Sequence, residues 1–366
     1  MPFSAVDAIS PAVEHTKQQL LRPFRFGQWI RLAFVGLLAG ELGSGGGCNV
    51  PNPSHFPGRH GGGQFPMPGW GGADLAVFAG LIVTLLVAGF VLWVVLMYIS
   101  SVMRFILFDS VLTKECHIRD SWNRRQGPGW HYFLWKLAYA LVTLGVMTIV
   151  VGISLGFAFA MGWLNHPKEH IAPLVLAGIA VFFVIVVFVI AMAVIYVLTK
   201  DFVVPQMALE DIGAIEGWRR LWSMMKAEKT AYAGYVGMKI VLAVVASIVL
   251  GIVGFVLVLI ILIPVAGAAI AAVLAAKAAG VGWTAGTITL AVLAGSGLLA
   301  FFFVLTSLIS VPAIVFFPAY SIYFFAARYP ALSAALYPAP AMAQISPGAP
   351  PPFEPPPLPP APEPIG

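Results

Sequence analysis

Long apolar runs separated by short polar segments dominate this sequence of 366 residues. A transmembrane helix needs about 20 consecutive apolar residues to cross a hydrocarbon core of about 30 Å. Five runs meet that length, at roughly 75–103, 137–163, 171–199, 235–265 and 287–311. A shorter run at 28–42 is counted as a sixth span, because it keeps the basic N-terminal segment inside. The pattern predicts an all-α, polytopic integral membrane protein with about six transmembrane helices.

The polar segments between these runs differ in charge, and the difference predicts the orientation of the chain. Segments 104–136 and 200–234 are rich in arginine and lysine, whereas 164–170 and 266–286 hold one lysine each. Basic loops normally remain in the cytoplasm. With six spans, every basic segment and both termini lie on the cytoplasmic side of the membrane.

The chain divides into three parts. Residues 1–26 form an N-terminal amphipathic cytoplasmic segment, and residues 27–327 form the six-helix transmembrane domain. Within this domain, the outer loop 43–73 is rich in glycine and proline and lacks periodicity, so we expect it to be irregular. Residues 328–366 contain 14 prolines in 39 residues, which is typical of a disordered or polyproline II tail. This tail serves either as a tether or as a ligand for a protein partner that binds proline-rich peptides.

Composition supports the membrane assignment and argues against other classes. Only 10% of the residues are charged and 60% are hydrophobic, whereas about 25% of a soluble protein is charged. The net charge of +5 comes from the loops rather than from a basic domain, so we expect no nucleic-acid partner. The two cysteines, Cys48 and Cys116, lie on opposite sides of the membrane in this topology, so we expect no disulfide between them.

The segment after Pro205 predicts a helix that lies along the membrane surface. Its apolar residues recur at steps of three and four, which places them on one helical face. These residues are Ile212, Ile215, Trp218, Trp222 and Met225. Basic residues lie between or beyond them, so the helix presents tryptophan at headgroup depth and cations toward lipid phosphates.

Seven side chains of this segment and of the segment near residue 122 are candidate lipid contacts. The expected interfacial anchors are Trp122, Trp218 and Trp222. The candidates for contact with anionic lipid or phosphate are Arg124, Arg125, Arg219 and Arg220. Two interpretations remain open. The arginines either set topology and anchor the surface helix, or they hold a phosphorylated ligand, because the guanidinium group suits phosphate.

A similar short motif follows each even-numbered span. It occurs at Phe105–Leu112, Phe202–Leu209 and Val315–Ile322. We interpret the three copies as the ends of three helical hairpins, each followed by a bend and a surface helix. Internal repeats of this kind are common in membrane folds.

One part of the chain is similar to a known group of proteins. It carries Val204-Pro205, Leu209-Glu210-Asp211 and Ala214-Ile215-Glu216-Gly217-Trp218-Arg219-Arg220-Leu221-Trp222. This run resembles the membrane domain that precedes the catalytic domain in some bacterial glycerophosphoryl diester phosphodiesterases, and related uncharacterised polytopic membrane proteins. Gly217 replaces an alanine of that pattern, and Leu221 replaces a serine. The resemblance implies a multi-pass protein of the bacterial cytoplasmic membrane. We expect no phosphodiesterase domain, because only the tail follows Arg328.

One loop carries a motif with catalytic potential. His166, Glu169 and His170 match the H-x-x-E-H pattern of some zinc proteases. A zinc site needs a stable helix and a third ligand, and a short loop that contains Pro167 favours neither. We therefore expect no metal, no cofactor and no catalytic residue. The apolar runs also hold few ionisable residues, which argues against ion-coupled transport, and we expect Lys239 to extend to the interface.

Two functional hypotheses follow. The first is a non-enzymatic scaffold or accessory protein in envelope or lipid homeostasis, whose partners are the bilayer and its anionic lipids. The alternative is a transporter or lipid-handling permease with a path between the hairpins. A closed apolar bundle would favour the scaffold, and a polar cavity at mid-membrane would favour transport.

Overall fold

The computed structural model describes residues 4–41, 72–163, 170–280, 282 and 284–337. This part of the chain is helical and contains no strand. In chain order its helices are α1 (Ile9–Leu21), α2 (Phe26–Leu38), α3 (Gly72–Thr113), α4 (Ile118–Ala160), α5 (Ile171–Leu198), α6 (Val204–Glu210), α7 (Ala214–Ala227), α8 (Lys229–Ala278), α9 (Ala285–Ile309), α10 (Val311–Ala326) and α11 (Pro330–Leu336). A π-helical turn, Thr199–Val203, joins α5 to α6.

Five helical segments are long and apolar enough to cross a membrane, which confirms the predicted polytopic all-α class. They are Val77–Thr113, Ile118–Ala160, Ile171–Glu210, Lys229–Ala278 and Ala285–Ala326. The first predicted span, 28–42, corresponds to α2, which has 13 residues. At 1.5 Å per residue α2 rises only about 20 Å, less than the 30 Å of a hydrocarbon core. The described residues thus hold five long helices and one short apolar helix.

The long helices continue well into segments that the sequence pattern assigned to loops. The predicted loop 104–136 reduces to the four residues between Thr113 and Ile118, and α8 continues to Ala278 inside the predicted loop 266–286. Charged residues end an apolar run in the sequence, but they do not end a helix when their side chains find partners. Arg104 and Asp109 have such partners and lie inside α3.

Most of the buried residues lie at one end of the helix bundle. This packed end is formed by residues 97–111 of α3, residues 198–208, and α10, with α1 and α2 packed on them. In the most apolar stretch of each of the first four long helices, at most 6% of the residues are buried. The tertiary core therefore lies at the packed end, and the apolar helix surfaces beyond it are open to lipid.

Proline residues lie where two of the long helical segments enter the packed end. Pro205 lies in the first turn of α6, directly after the π-helical turn. Pro312 lies in the first turn of α10, which follows a break at Ser310. Proline lacks the backbone N–H of a regular helix, so the helical hydrogen-bond pattern is interrupted at these positions. Helix α3 has no proline in this region and is continuous to Thr113.

The three copies of the predicted motif meet inside the packed end. Their first residues, Phe105, Phe202 and Val315, are fully buried. Their fourth residues, Phe108, Pro205 and Pro318, line one small cavity. The copies are followed by different elements, namely the start of α4, helix α7 and the short helix α11.

Candidate functional site

Five buried or nearly buried charged side chains meet at the centre of the packed end. We call them the central ion cluster, and they are Glu41, Arg104, Lys200, Asp201 and Lys239. Glu41 lies three residues after the end of α2 and accepts hydrogen bonds from Arg104 and Lys200. Arg104 also donates to the carbonyl oxygen of Ala39 at 2.7 Å. One carboxylate thus joins the end of α2 to α3 and to the π-helical turn.

The second carboxylate of the central ion cluster connects the π-helical turn to α8. Asp201 accepts a hydrogen bond from Lys239 and another from the Tyr235 hydroxyl at 2.9 Å. The Tyr235 ring stacks on Tyr320 of α10, with ring centroids 5.2 Å apart and an interplanar angle of 7°. Three elements are therefore joined around Asp201.

Three members of the central ion cluster, Arg104, Lys200 and Asp201, line a cavity of about 20 Å³ together with Ser321 and apolar side chains. That volume accommodates one water molecule, and polar groups on several sides can hold it. Charges this deep are stable only when they are paired and hydrogen-bonded. The arrangement is suited to joining helices.

The two arginines predicted near residue 122 have different environments. The Arg125 side chain is only 13% exposed, and its guanidinium donates to both oxygens of Asp109 and to the carbonyl oxygen of Ala208. The Arg124 side chain is 65% exposed and approaches Asp109 at 3.3 Å. The structure therefore places Arg125 in an internal contact between α3, α4 and α6, and leaves Arg124 at the surface.

Helix α7 has one face in the core and one face exposed. Ala214, Gly217 and Leu221 are buried, whereas Ile215, Arg219, Trp222 and Lys226 form an exposed stripe at spacings of four, three and four residues. Lys226 lies over the Trp222 ring, 5.7 Å from its centroid. The exposed stripe of α7 thus combines apolar and basic side chains.

The α7 arginines are paired with carboxylates on the same surface. Arg219 contacts Glu216, and Arg220 contacts both Glu210 and Glu216. Hydrogen bonds from Arg219 and Arg220 lower the pKa of the Glu216 carboxyl below its usual value, so this carboxyl stays ionised. Arg219 nevertheless keeps most of its surface exposed.

The three predicted tryptophan anchors differ in exposure. Trp222 is 54% exposed. Trp122 and Trp218 are half-buried against the core, and the Trp218 indole donates to the Thr199 hydroxyl at 3.1 Å. Among the three, Trp222 has the exposure that an interfacial anchor requires.

Helix α1 is attached to the packed end by buried polar contacts. The Nε2 atom of His15 lies 2.8 Å from the carbonyl oxygen of Val111, and its Nδ1 atom lies 3.2 Å from the Tyr323 hydroxyl. Gln19 donates to the Ser110 carbonyl oxygen at 2.8 Å. Burial lowers the pKa of His15, so the neutral imidazole holds this helix in place.

An open groove runs between α3 and α4 just beyond the packed end. Its volume is about 790 Å³, and Leu37 and Leu38 of α2 and Tyr196 of α5 close it at one side. Lys136 and Ser100 supply polar groups at the end of the groove near the core, and the remaining lining is mostly apolar.

Several sequence motifs lie wholly or partly outside the described residues. They include Cys48, most of the outer loop 43–73, the pair His166 and Glu169, and the tail beyond residue 337. Within the described ranges, no three histidine, cysteine or carboxylate side chains are close enough to hold a metal ion. The central ion cluster was missed in the sequence, although its signal was present as single charges at the ends of apolar runs.

The fold and the charged packed end define a class, that of multi-pass helical membrane proteins. A model of the family of unknown function DUF7544 matches residues 3–335, and the chain belongs to that family. Comparisons with curated proteins and with solved structures found no match.

Proposed function

We propose that this protein is a non-enzymatic scaffold or accessory protein of the bacterial cytoplasmic membrane, acting in envelope or lipid homeostasis. The observation that supports the proposal most strongly is that the molecule has two distinct parts. A charged, tightly packed end holds the helices together, while the apolar stretches of the first four long helices are almost unburied. Such surfaces must be covered by lipid or by another membrane protein.

The packed end faces the cytoplasm in this proposal. Both basic segments of the sequence belong to it, and basic segments are normally retained on the cytoplasmic side. Both α1 and α11 also lie at this end. The resemblance of residues 202–222 to membrane domains linked to bacterial glycerophosphoryl diester phosphodiesterases supports a role close to lipids.

The exposed stripe of α7 is the proposed contact with anionic lipid. Trp222 and Ile215 suit the headgroup boundary, and Arg219 and Lys226 suit lipid phosphates. Arg220 engages two carboxylates instead. The proposed lipid contact of α7 therefore includes Arg219 and excludes Arg220.

Depth-dependent quenching tests this contact in the intact protein. A fluorophore is attached to Ile215→Cys in a background without Cys48 and Cys116, and the protein is reconstituted with nitroxide-labelled lipids. We expect stronger quenching in phosphatidylglycerol than in phosphatidylcholine bilayers, and expect Arg219→Gln with Lys226→Gln to remove the difference. Arg220→Gln is the matched control and should preserve it. Equal quenching in both bilayers would refute the lipid contact.

The groove beside Lys136 favours the second candidate function, a lipid-handling permease, because it opens toward the bilayer. Transbilayer movement of a fluorescent phospholipid, followed by chemical quenching in proteoliposomes, separates the two functions. The scaffold proposal predicts the same slow movement as in protein-free vesicles. If the protein accelerates this phospholipid movement and Lys136→Gln abolishes the acceleration, the permease function would be favoured over the scaffold function.

A further inference from the structure

We propose that the groove between α3 and α4 binds one anionic phospholipid, with its phosphate at Lys136 and one acyl chain along the groove. This site is separate from the exposed stripe of α7 and goes beyond the proposed function, because a bound lipid is compatible with either a scaffold or a permease.

Lys136 provides the first argument. Its ammonium group donates to the Ser100 hydroxyl at 3.1 Å, and no carboxylate of the described residues forms an ion pair with it. The Lys136 side chain is partly buried. A partly buried cation without a carboxylate partner is stabilised by an anion. The phosphate of a lipid supplies that anion.

The direction of the groove provides the second argument. On α3 the lining residues run from Trp93 to Ser100, and on α4 they run from Lys136 to Met147. Each set recurs at steps of three and four, so each lies on one helical face. At 1.5 Å per residue these faces extend about 10 Å and about 16 Å from the polar end into the apolar part of the bundle. An acyl chain attached to a phosphate at Lys136 follows this course.

The aromatic side chains near Lys136 provide the third argument. Trp130 contacts Tyr98 and Phe133 with ring centroids 5.9 Å and 5.3 Å apart, and Trp135 stacks on Tyr139 at 5.3 Å. Tryptophan and tyrosine concentrate at the depth of lipid headgroups. Lys136 therefore lies at the level where a phosphate group belongs in the bilayer.

Native mass spectrometry of the delipidated full-length protein in detergent tests the site. The protein is titrated with phosphatidylglycerol, with diacylglycerol of the same chains, and with inorganic phosphate. We expect one phosphatidylglycerol per chain, diacylglycerol binding weaker by about tenfold or more, and no adduct with inorganic phosphate. Loss of one charge-assisted hydrogen bond corresponds to a change of this size.

Four variants complete the experiment. Lys136→Gln should weaken phosphatidylglycerol binding about tenfold, Lys136→Arg should retain it, and Ala140→Phe should block the groove for both lipids. Arg219→Gln, on α7, should leave binding unchanged. Three results would each overturn the inference: wild-type binding of the two lipids with equal affinity, Lys136→Gln binding like the wild type, or saturation of Lys136 by inorganic phosphate alone. Because the first is measured on the wild-type protein, the test does not depend on a variant folding.

Quenching of the α7 fluorophore could be equal in both bilayers while phosphatidylglycerol still binds through Lys136. The proposed contact of α7 with lipid would then be refuted, and the groove site would remain. If quenching depended on the lipid but phosphatidylglycerol did not bind through Lys136, only the groove site would be refuted.

Discussion

Arg125 binds Asp109 through two hydrogen bonds of 2.7 Å, one from Nε and one from Nη2. This forked pair joins the start of α4 to the end of α3, and a third hydrogen bond reaches the Ala208 carbonyl oxygen at 2.6 Å. A side chain that the sequence pattern assigned to lipid is thus held in an internal contact. Its neighbour Arg124 remains exposed, so the two positions form a matched pair for experiment.

Replacement of Arg125 by lysine should destabilise the protein by about 2 kcal/mol, because a single ammonium nitrogen cannot reproduce the two parallel hydrogen bonds to Asp109 together with the bond to Ala208. Thermal unfolding in mild detergent measures the change. Arg124→Lys is the control and should shift stability by less than about 0.5 kcal/mol, as is usual for exposed ion pairs. Equal effects of the two substitutions would contradict the internal role of Arg125.

The pair Asp201 and Lys239 should show strong energetic coupling. Asp201→Asn leaves Lys239 without its carboxylate, and Lys239→Met leaves Asp201 without its ammonium partner, so each single variant should lose about 3 kcal/mol. The double variant leaves neither charge and should lose at least about 1 kcal/mol less than the sum of the single losses. Denaturant unfolding of all four proteins gives the coupling energy. If the losses in the free energy of unfolding are additive, the two residues are not energetically coupled.

Acid should loosen the attachment of α1 through His15. The carbonyl oxygen of Val111 can only accept a hydrogen bond, so Nε2 of His15 carries the proton, and Nδ1 accepts from Tyr323. The pKa of His15 in the folded protein lies below the ordinary value of 6.5, with burial as the main cause and the positive charge of Lys114 acting in the same direction. The unfolded chain therefore takes up the proton first, and stability falls as the pH decreases below about 6.5.

Limited proteolysis of the N-terminal segment at pH 7.5 and pH 5.5 measures this effect. Cleavage near α1 should rise in acid in the wild type, and His15→Gln, which keeps one donor, should reduce the pH response. His131→Gln is the control, since His131 is exposed on α4, and should leave the pH response intact. An unchanged response in His15→Gln would exclude His15 as its source.

Two glycines of α4 should respond to alanine with opposite signs. A Cβ atom at Gly129 would lie 2.8 Å from Cγ2 and 3.3 Å from Cα of Val102, whereas a Cβ at Gly145 would meet nothing within 4 Å. Gly129→Ala should destabilise the contact between α3 and α4 by about 1–3 kcal/mol through overpacking. Gly145→Ala should stabilise the protein by up to about 1 kcal/mol, because alanine favours a helix more than glycine does. Thermal unfolding of both variants tests the pair, and equal shifts would show that α3 and α4 are not closely packed there.

The sequence could predict the long helices, because apolar runs of this length have few other solutions. It also predicted a helix after Pro205, which the structure gives as Ala214–Ala227. The sequence did not predict which side chains of this helix are buried. Trp218 and Trp222 lie on the same apolar stripe of the sequence, yet only Trp222 is well exposed. The difference arises because Trp218 finds a partner in Thr199, and no local pattern contains that contact.

The central ion cluster could not be predicted from local pattern. Glu41 and Lys200 are 159 residues apart in sequence, and each resembles an ordinary charge at the end of an apolar run. The expectation that Lys239 extends to the interface was wrong, because Lys239 is paired with Asp201 inside the packed end. In the sequence, a charged residue at the end of an apolar run looks the same whether its side chain is solvated or paired with an opposite charge.

The order of the central ion cluster along the chain has a consequence for biosynthesis. Glu41 and Arg104 can pair as soon as the first long helix has left the ribosome, and Lys200 and Asp201 follow two long helices later. Asp201 has no Lys239 until the start of α8 has been made, so the cluster is completed late in translation. A nascent chain that stalls before that point lacks the Lys239 partner of Asp201, and an unpaired charge in the packed end is costly.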